Sequence, residues 1–132
     1  MNVPQQKPAT GMLVGFDLTV GDAPGIRDFY ASVVGWRPEP VDMGEYADFA
    51  MASPASGDWI AGVCHARGDN ADLPPQWLVY IAVDNLAESL RRCTERGGTV
   101  LTSVKGGGDG GRYCVIRDPA GAVLALMQPG AA

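Results

Sequence analysis

Three features are scarce in this chain of 132 residues: long apolar runs, basic clusters and cysteines. No apolar run approaches the length that spans a bilayer, so we expect a soluble globular protein. The net charge is −5 and Lys and Arg are not clustered, which argues against binding of nucleic acid or of an anionic membrane. Cys64, Cys93 and Cys114 are odd in number and far apart. This pattern favours reduced thiols in the cytoplasm over a disulfide framework.

The chain repeats itself at an offset of about 63 residues. Residues 13–35 and 76–98 follow one plan, in which a strand pattern leads through a capped turn to a helix that ends at glycine. Val20 corresponds to Val83, Asp22 to Asn85, and Gly35 to Gly98. At this length neither copy is expected to form a sufficient core alone, so the two copies should fold as one domain.

The first copy predicts one strand, one helix and three further strands. Apolar and polar residues alternate over 15–20, as in a strand with two different faces. Asp22 is placed to cap the following helix, whose predicted buried stripe consists of Ile26, Phe29, Tyr30 and Val33. Strands are predicted over 36–43, 46–52 and 59–65, with Pro38 and Pro40 directing the first of them to a sheet edge.

The second copy repeats this order. It predicts strands over 77–83, 99–104, 112–117 and 122–128, and a helix over 86–96 that buries Leu86, Leu90 and Cys93. Residues 118–121 form a tight turn in this prediction. The predicted organisation is a flexible tail (1–12), a first βαβββ module (13–65), a linker (66–75) and a second βαβββ module (76–129), an α+β fold.

The order of these motifs resembles the vicinal-oxygen-chelate superfamily, which includes glyoxalase I, bleomycin-resistance proteins and extradiol dioxygenases. The resemblance rests on Phe16–Asp22, Phe29-Tyr30 and Gly35-Trp36 in the first copy, and on Trp77–Asn85, Gly97-Gly98 and Asp118-Pro119-x-Gly121 in the second. It covers residues 13–128. It implies a glyoxalase-like fold in which two modules curl into an open barrel-like cleft, with the helices outside.

Enzymes that this chain resembles usually hold one divalent metal, bound by His or Glu on the first and fourth strands of each module. The corresponding positions here are Gly15, Gly62, Leu78 and Ala125. None offers the imidazole, carboxylate or thiolate that such metals need. The only histidine, His65, is out of phase with Gly62. We therefore predict no metal site and no cofactor.

Asp17 is the first candidate for the functional site. It shares the parity of Gly15 and Thr19, which places it in the predicted cleft, where a carboxylate is costly unless it is paired, hydrated or used. Asp17 could serve as a general base or accept a hydrogen bond from a ligand, or it could simply bond a neighbouring tyrosine or backbone group. Tyr80, its counterpart in the second copy, is predicted to project into the same cleft.

Further residues share the inward parity and should line the cleft: Thr19, Cys64, Val123 and Met127. Cys64 is read as a lining residue because its neighbour His65 points away and supplies no base. The strand phase of Cys114 is not determined by the sequence. The glycine-rich segment 105–111 does not start a helix, so it is interpreted as a hairpin connection rather than a phosphate loop.

Three functions fit these residues. The one we favour is a metal-independent protein that binds a small, partly apolar ligand in the cleft between the modules, as bleomycin-resistance proteins do. The second is a metal-free enzyme, a lyase, isomerase or dioxygenase of the same superfamily, in which Asp17 is the acid or base. The third is a metal-dependent enzyme with displaced ligands. The resemblance also leads us to expect a homodimer, because related two-module chains commonly pair; the proline-bearing edge at 36–43 leaves room for either an exposed or a covered edge.

Overall fold

The structure, a computed structural model, describes residues 8–130 and separates into two compact units. One unit comprises Gly15–Leu78, and the other comprises, among the described residues, 8–14 and 79–130. The strands and α-helices of the described chain are, in order, β1 (Leu13–Val20), α1 (Ala23–Val33), β2 (Arg37–Asp42), β3 (Ala47–Ala52), β4 (Trp59–His65), β5 (Trp77–Ala82), α2 (Leu86–Glu95), β6 (Thr99–Val100), β7 (Lys105–Gly106), β8 (Arg112–Arg117) and β9 (Val123–Gln128). Neither α1 nor α2, the α-helices of residues 8–130, has the length and apolar character of a membrane span.

The Gly15–Leu78 unit has its strands in the order β2-β3-β4-β1, with β1 parallel to β4 and the other pairs antiparallel. As predicted, β2 with its two prolines is an edge strand. The core is formed by Ala23 of α1 and by Phe49, Met51 and Val63 of the sheet. The predicted cap is also present, because the Asp22 carboxylate accepts a hydrogen bond from the Gly25 N–H at 3.1 Å.

The prediction of the buried stripe on α1 is wrong for two of its four residues. Ile26 and Tyr30 pack against the core, but Phe29 is 52% exposed and Val33 is 65% exposed. Helical periodicity locates the apolar side of a helix, but the neighbouring elements decide how much of that side is covered. On α1 the sheet covers only the part of the stripe nearest to Ala23.

The second unit has the order β5-β9-β8-β6, with β7 also paired to β8. Asn85 caps α2 by accepting a hydrogen bond from the Glu88 N–H at 3.1 Å. Leu86 of the helix packs on a core that includes Cys114, Ile116 and Leu126. Partly buried Leu90 and Cys93 join this core, as predicted.

The predicted strand over 99–104 is wrong for its last four residues, since only Thr99–Val100 pairs as a strand. The reason is the buried Thr102, whose hydroxyl accepts the Val115 N–H at 3.1 Å, while its carbonyl accepts the Cys114 thiol at 3.1 Å. Side-chain hydrogen bonds thus replace the regular backbone ladder at this point. The tight turn at 118–121 is confirmed, with the Gly121 N–H bonded to the Asp118 carbonyl at 3.0 Å.

The internal repeat is preserved in the strand register. Asp17 pairs with Gly62 between β1 and β4, and Tyr80 pairs with Ala125 between β5 and β9. Both members of the second pair lie 63 positions after those of the first. The duplication read from the sequence is therefore a duplication of structure, and each unit is an α+β sheet covered by its own helix.

Candidate functional site

The carboxylate of Asp17 occupies the space above Gly62. The two residues are register partners, and a Cβ on Gly62 would overlap the Asp17 carboxylate and lie 3.2 Å from its Cγ. Because Gly62 has no side chain, it leaves room for the carboxylate of Asp17 on the neighbouring strand. The half-buried Asp17 is thus held against the surface of the sheet rather than extended from it.

Asp17 belongs to the face of this sheet opposite α1, together with Cys64 and Asp48. Phe49 and Val63 pair between β3 and β4 and pack against the helix, so their neighbours Asp48 and Cys64 point the other way. We call Asp17, Asp48 and Cys64 the acidic face. Thr19, the register partner of Cys64, is 5% exposed and lies beside it.

Cys64 is a neutral thiol in this setting. Burial raises the pKa of Cys64 strongly, and the negative charges of Asp17 and Asp48 and a hydrogen bond to Asp48 raise it further. A thiol of this kind is a poor nucleophile, because the thiolate is the reactive form. Cys64 is therefore poorly suited to attack a substrate, and its place among the lining residues of a ligand site stays a prediction.

Asp48 is the residue that sequence reasoning missed. Its Oδ1 accepts the His65 backbone N–H at 2.9 Å and lies 3.0 Å from His65 Nδ1. Only 14% of the Asp48 side chain and 22% of the His65 side chain are exposed. The Asp48 carboxylate thus contacts both the backbone and the ring of His65.

His65 itself lies on the side of the strand away from Cys64, as the parity predicted. Its ring contacts Phe49 and Tyr46, with centroid distances of 6.2 and 5.3 Å. The guanidinium of Arg67 in turn stacks 3.9 Å from the centre of the Tyr46 ring. This packed row fixes the imidazole, and through it the orientation of the Asp48 carboxylate.

The second unit presents tyrosines at the corresponding place. Tyr80 lies on the face opposite α2, and its ring is 5.9 Å from the ring of Tyr113. Tyr113 pairs with Met127, and Val123 lies on the same face four pairs further along β8 and β9. We call Tyr80, Tyr113, Val123 and Met127 the tyrosine face. Tyr113 was missed because the phase of its strand depended on Cys114, which turns out to be fully buried towards α2.

The positions that would hold a metal in this fold do not fit one. Gly15 and Gly62 have no side chain, Leu78 is 1% exposed in the core, and Ala125 is fully buried. Within residues 8–130 there is also no group of three His, Cys, Asp or Glu side chains arranged to bind a metal ion elsewhere. The residues of the acidic face can accept hydrogen bonds and protons, and that is the chemistry available to them.

This chain is comparable to proteins that have two βαβββ units in tandem. In each unit, polar groups lie on the face of the sheet that no helix covers. Residues 12–126 match the model of the Glyoxalase/Bleomycin resistance protein/Dioxygenase superfamily. The chain belongs to this superfamily.

Among curated relatives, the chain is 33% identical over 117 residues to the "Putative glyoxylase CFP32" of Mycobacterium bovis, covering 85% of this chain and 43% of that protein. It is 28% identical over 137 residues to the anthracycline biosynthesis protein DnrV of Streptomyces peucetius, covering 92% of this chain and 48% of DnrV. The chain thus spans about half the length of these relatives.

Among solved structures, methylmalonyl-CoA epimerase from Mycobacterium tuberculosis matches with a TM-score of 0.57 and 17% identity, over 95% of this chain and 94% of the epimerase. At this identity the match establishes the glyoxalase fold and leaves the activity open. The predicted fold class is thereby confirmed.

Proposed function

We propose that this protein binds a small, partly apolar organic molecule without a resident metal. In this proposal the acidic face accepts hydrogen bonds from a hydroxyl or amine of the ligand, and the tyrosine face receives an apolar part. Asp17 and Tyr80 make the principal contacts, with Thr19, Cys64, Val123 and Met127 as lining residues.

The observation that carries the proposal is the placement of the Asp17 carboxylate above Gly62, at a position where superfamily enzymes carry a metal ligand. A carboxylate here can accept hydrogen bonds from a bound molecule, and it stands near the neutral Cys64 thiol rather than among metal ligands. Such carboxylates favour ligands that donate hydrogen bonds. The tyrosine rings support an apolar or aromatic part of the ligand.

The test is a binding experiment with compounds suggested by the names of the relatives. Methylmalonyl-CoA and an anthracycline are added separately, and binding is measured by calorimetry and by the shift in melting temperature. Native mass spectrometry of the purified protein looks in parallel for a copurified small molecule. A protein that binds neither probe and carries no small molecule contradicts the proposal.

Asp17→Asn then tests the role of the carboxylate. For a probe that binds, we expect affinity to fall by about 10- to 100-fold, since hydrogen bonds to charged groups are worth roughly 1.5–3 kcal/mol. Asp28→Asn is the matched control, because the Asp28 side chain is 69% exposed on α1 and forms an ion pair with its neighbour Arg27. Equal affinities of the Asp17 and Asp28 variants would remove Asp17 from the site.

A second candidate is a metal-free enzyme in which Asp17 is the general base. It is favoured by the make-up of the acidic face, where two carboxylates stand beside a thiol that is too weakly acidic to attack a substrate. Proton transfer is the reaction such a face supports. If Asp17 is the base, Asp17→Asn should reduce turnover of methylmalonyl-CoA or the anthracycline by about 10²- to 10⁴-fold while binding largely survives.

We also propose that the protein works in the cytoplasm. Cys64, Cys93 and Cys114 are all free thiols in the structure, which supports a reducing compartment. Fractionation of cells that express the chain, with antibody detection, tests this location.

A further inference from the structure

One row of residues crosses the face opposite α1 in the Gly15–Leu78 unit. Glu39 of β2 pairs with Ala50 of β3, Ala50 pairs with Gly62 of β4, and Gly62 pairs with Asp17 of β1. Partners in register present their side chains on the same face of the sheet. The row therefore has a carboxylate at each end and only a methyl group and a hydrogen between them. Because neighbouring strands are about 4.8 Å apart, it is about 14 Å long.

The indole of Trp59 lies across this row. Trp59 of β4 pairs with Ala52 of β3, and its Nε1 donates a hydrogen bond to the Glu39 carboxylate. Since β3 lies between β4 and β2, the indole has to cross β3 to reach Glu39. Ala50 and Ala52, the residues of β3 along this crossing, are 5% and 0% exposed, although α1 lies on the other face. The two alanines thus form the floor on which the indole lies.

Trp59 nevertheless remains 61% exposed. Its ring is held at one edge by Glu39 and rests on the sheet, so the ring face turned away from the sheet is open to solvent. Aromatic rings pack favourably against each other in offset stacks. A ring that is already fixed also loses little conformational freedom when a ligand binds to it. Trp59 is therefore a preformed surface for a second flat ring.

The internal repeat shows that the fold does not need this ring. The offset of 63 residues that relates Gly62 to Ala125 places Ala122 at the position of Trp59. The same position in the second copy is thus filled by a methyl group. An exposed indole that is fixed by a hydrogen bond is explained by contact with a bound molecule, because aromatic side chains are common in the walls of small-molecule sites.

We propose that Trp59 contacts the ligand and that this ligand carries a planar aromatic ring. The inference rests on the proposed function and narrows its partly apolar ligand to a planar aromatic one. The ligand ring stacks on the open face of the indole above β3. The Asp17 carboxylate lies above Gly62 on β4, one strand spacing of about 5 Å away, so a hydroxyl or amine substituent of the ring reaches it. Glu39 is a positioning residue that acts through the indole.

The test compares two amines that differ in the flatness of their rings. Calorimetry measures the affinity of 1-naphthylmethylamine and of its fully saturated decahydro counterpart, which carry the same ammonium group. The parent chain should bind the aromatic amine about 3- to 10-fold more tightly, and Trp59→Leu should abolish this preference. Phe29→Leu is the matched control, because Phe29 is 52% exposed in the same unit but lies on α1. This control should keep the preference.

Substitutions of Glu39 separate a positioning role from a direct attraction between its charge and the amine. Glu39→Gln keeps an oxygen that accepts the Nε1–H of Trp59 and should keep the preference for the aromatic amine. Glu39→Ala releases the indole and should lose most of it. Equal weakening of both amines by both variants would contradict the positioning role. Circular dichroism establishes folding, and if Trp59→Leu does not fold, Glu39→Ala replaces it because it leaves Trp59 in place.

The outcomes distinguish this inference from the proposed function. The inference is overturned if the parent chain binds both amines equally well, or if Trp59→Leu keeps the preference for the aromatic amine. In either case Asp17→Asn should still weaken the binding of both amines if the proposed function holds. A parent chain that binds neither amine also overturns the inference, and the proposed function is then decided by its own probes.

Discussion

Replacing Gly62 by alanine should reveal an energetic coupling between Gly62 and Asp17. The backbone at Gly62 does not need glycine for its conformation, because its φ is not in the left-handed region. Alanine should therefore stabilise the interior of β4 by about 0.5–1 kcal/mol from chain entropy alone. The new Cβ would, however, overlap the Asp17 carboxylate.

The cost of that overlap is about 1–3 kcal/mol, the range for adding a methyl group where there is no room. Gly62→Ala should therefore change the free energy of unfolding by between almost nothing and a loss of about 2.5 kcal/mol. In an Asp17→Ala background no atom comes closer to the new Cβ than the Cys64 Sγ, at an ordinary contact distance of 3.7 Å. There the same substitution should stabilise the protein by about 0.5–1 kcal/mol.

A double-mutant cycle measured by urea unfolding gives the coupling directly. We expect about 1–3 kcal/mol between positions 17 and 62. Gly21→Ala in the same two backgrounds is the control, because a Cβ on Gly21 would have no neighbour within 4 Å. A coupling below about 0.5 kcal/mol at Gly62, equal to that of the control, would refute the placement of Asp17 above it.

Two further predictions concern the chemistry of the sheet faces. Zinc, nickel, iron or manganese should not raise the melting temperature, because Gly15, Gly62, Leu78 and Ala125 provide no ligands; one bound equivalent whose chelation destabilises the protein would contradict this. The raised pKa of Cys64 favours the neutral thiol in the folded state. Its contribution to stability is complete below the pKa of an unfolded cysteine, about 8.5, and is lost as pH rises above it. Melting temperatures from pH 7 to 10 should thus fall more steeply for the parent than for Cys64→Ser, and parallel curves would show that Cys64 is not held neutral.

Much of the architecture was predictable because it is encoded locally. The strand and helix periods, the caps at Asp22 and Asn85 and the turn at 118–121 each depend on a few consecutive residues. The repeat added long-range information, since a register found in one copy applies to the other. That is why the shared face of Asp17, Thr19 and Cys64 was foreseeable.

Asp48 could not be found in the same way. Its nearness to Cys64 and His65 depends on the register of β3 against β4, which the intervening loop at 53–58 sets, and this register shifts between Met51 and Ala52. The repeat does not help either. Ala50 pairs with Gly62 in the first unit, and the 63-residue offset would make residue 113 the partner of Ala125, but Val115 pairs with Ala125 instead. Because of this two-residue shift, the offset does not relate Asp48 directly to Tyr113. The sequence signal that remains for Asp48 is its charged side chain in β3, a strand whose other residues are apolar.

The sequence by itself determined which segments form strands and helices, which residues share a face, and that the familiar metal positions are empty of ligands. These properties follow from side-chain chemistry and from the periods of helix and strand. Only the tertiary structure decided that Asp48 binds His65 beside Cys64, that Asp17 rests on Gly62, and that Phe29 and Val33 remain exposed. These depend on strand register and on which neighbours cover a helix, and both result from packing between residues far apart in the chain.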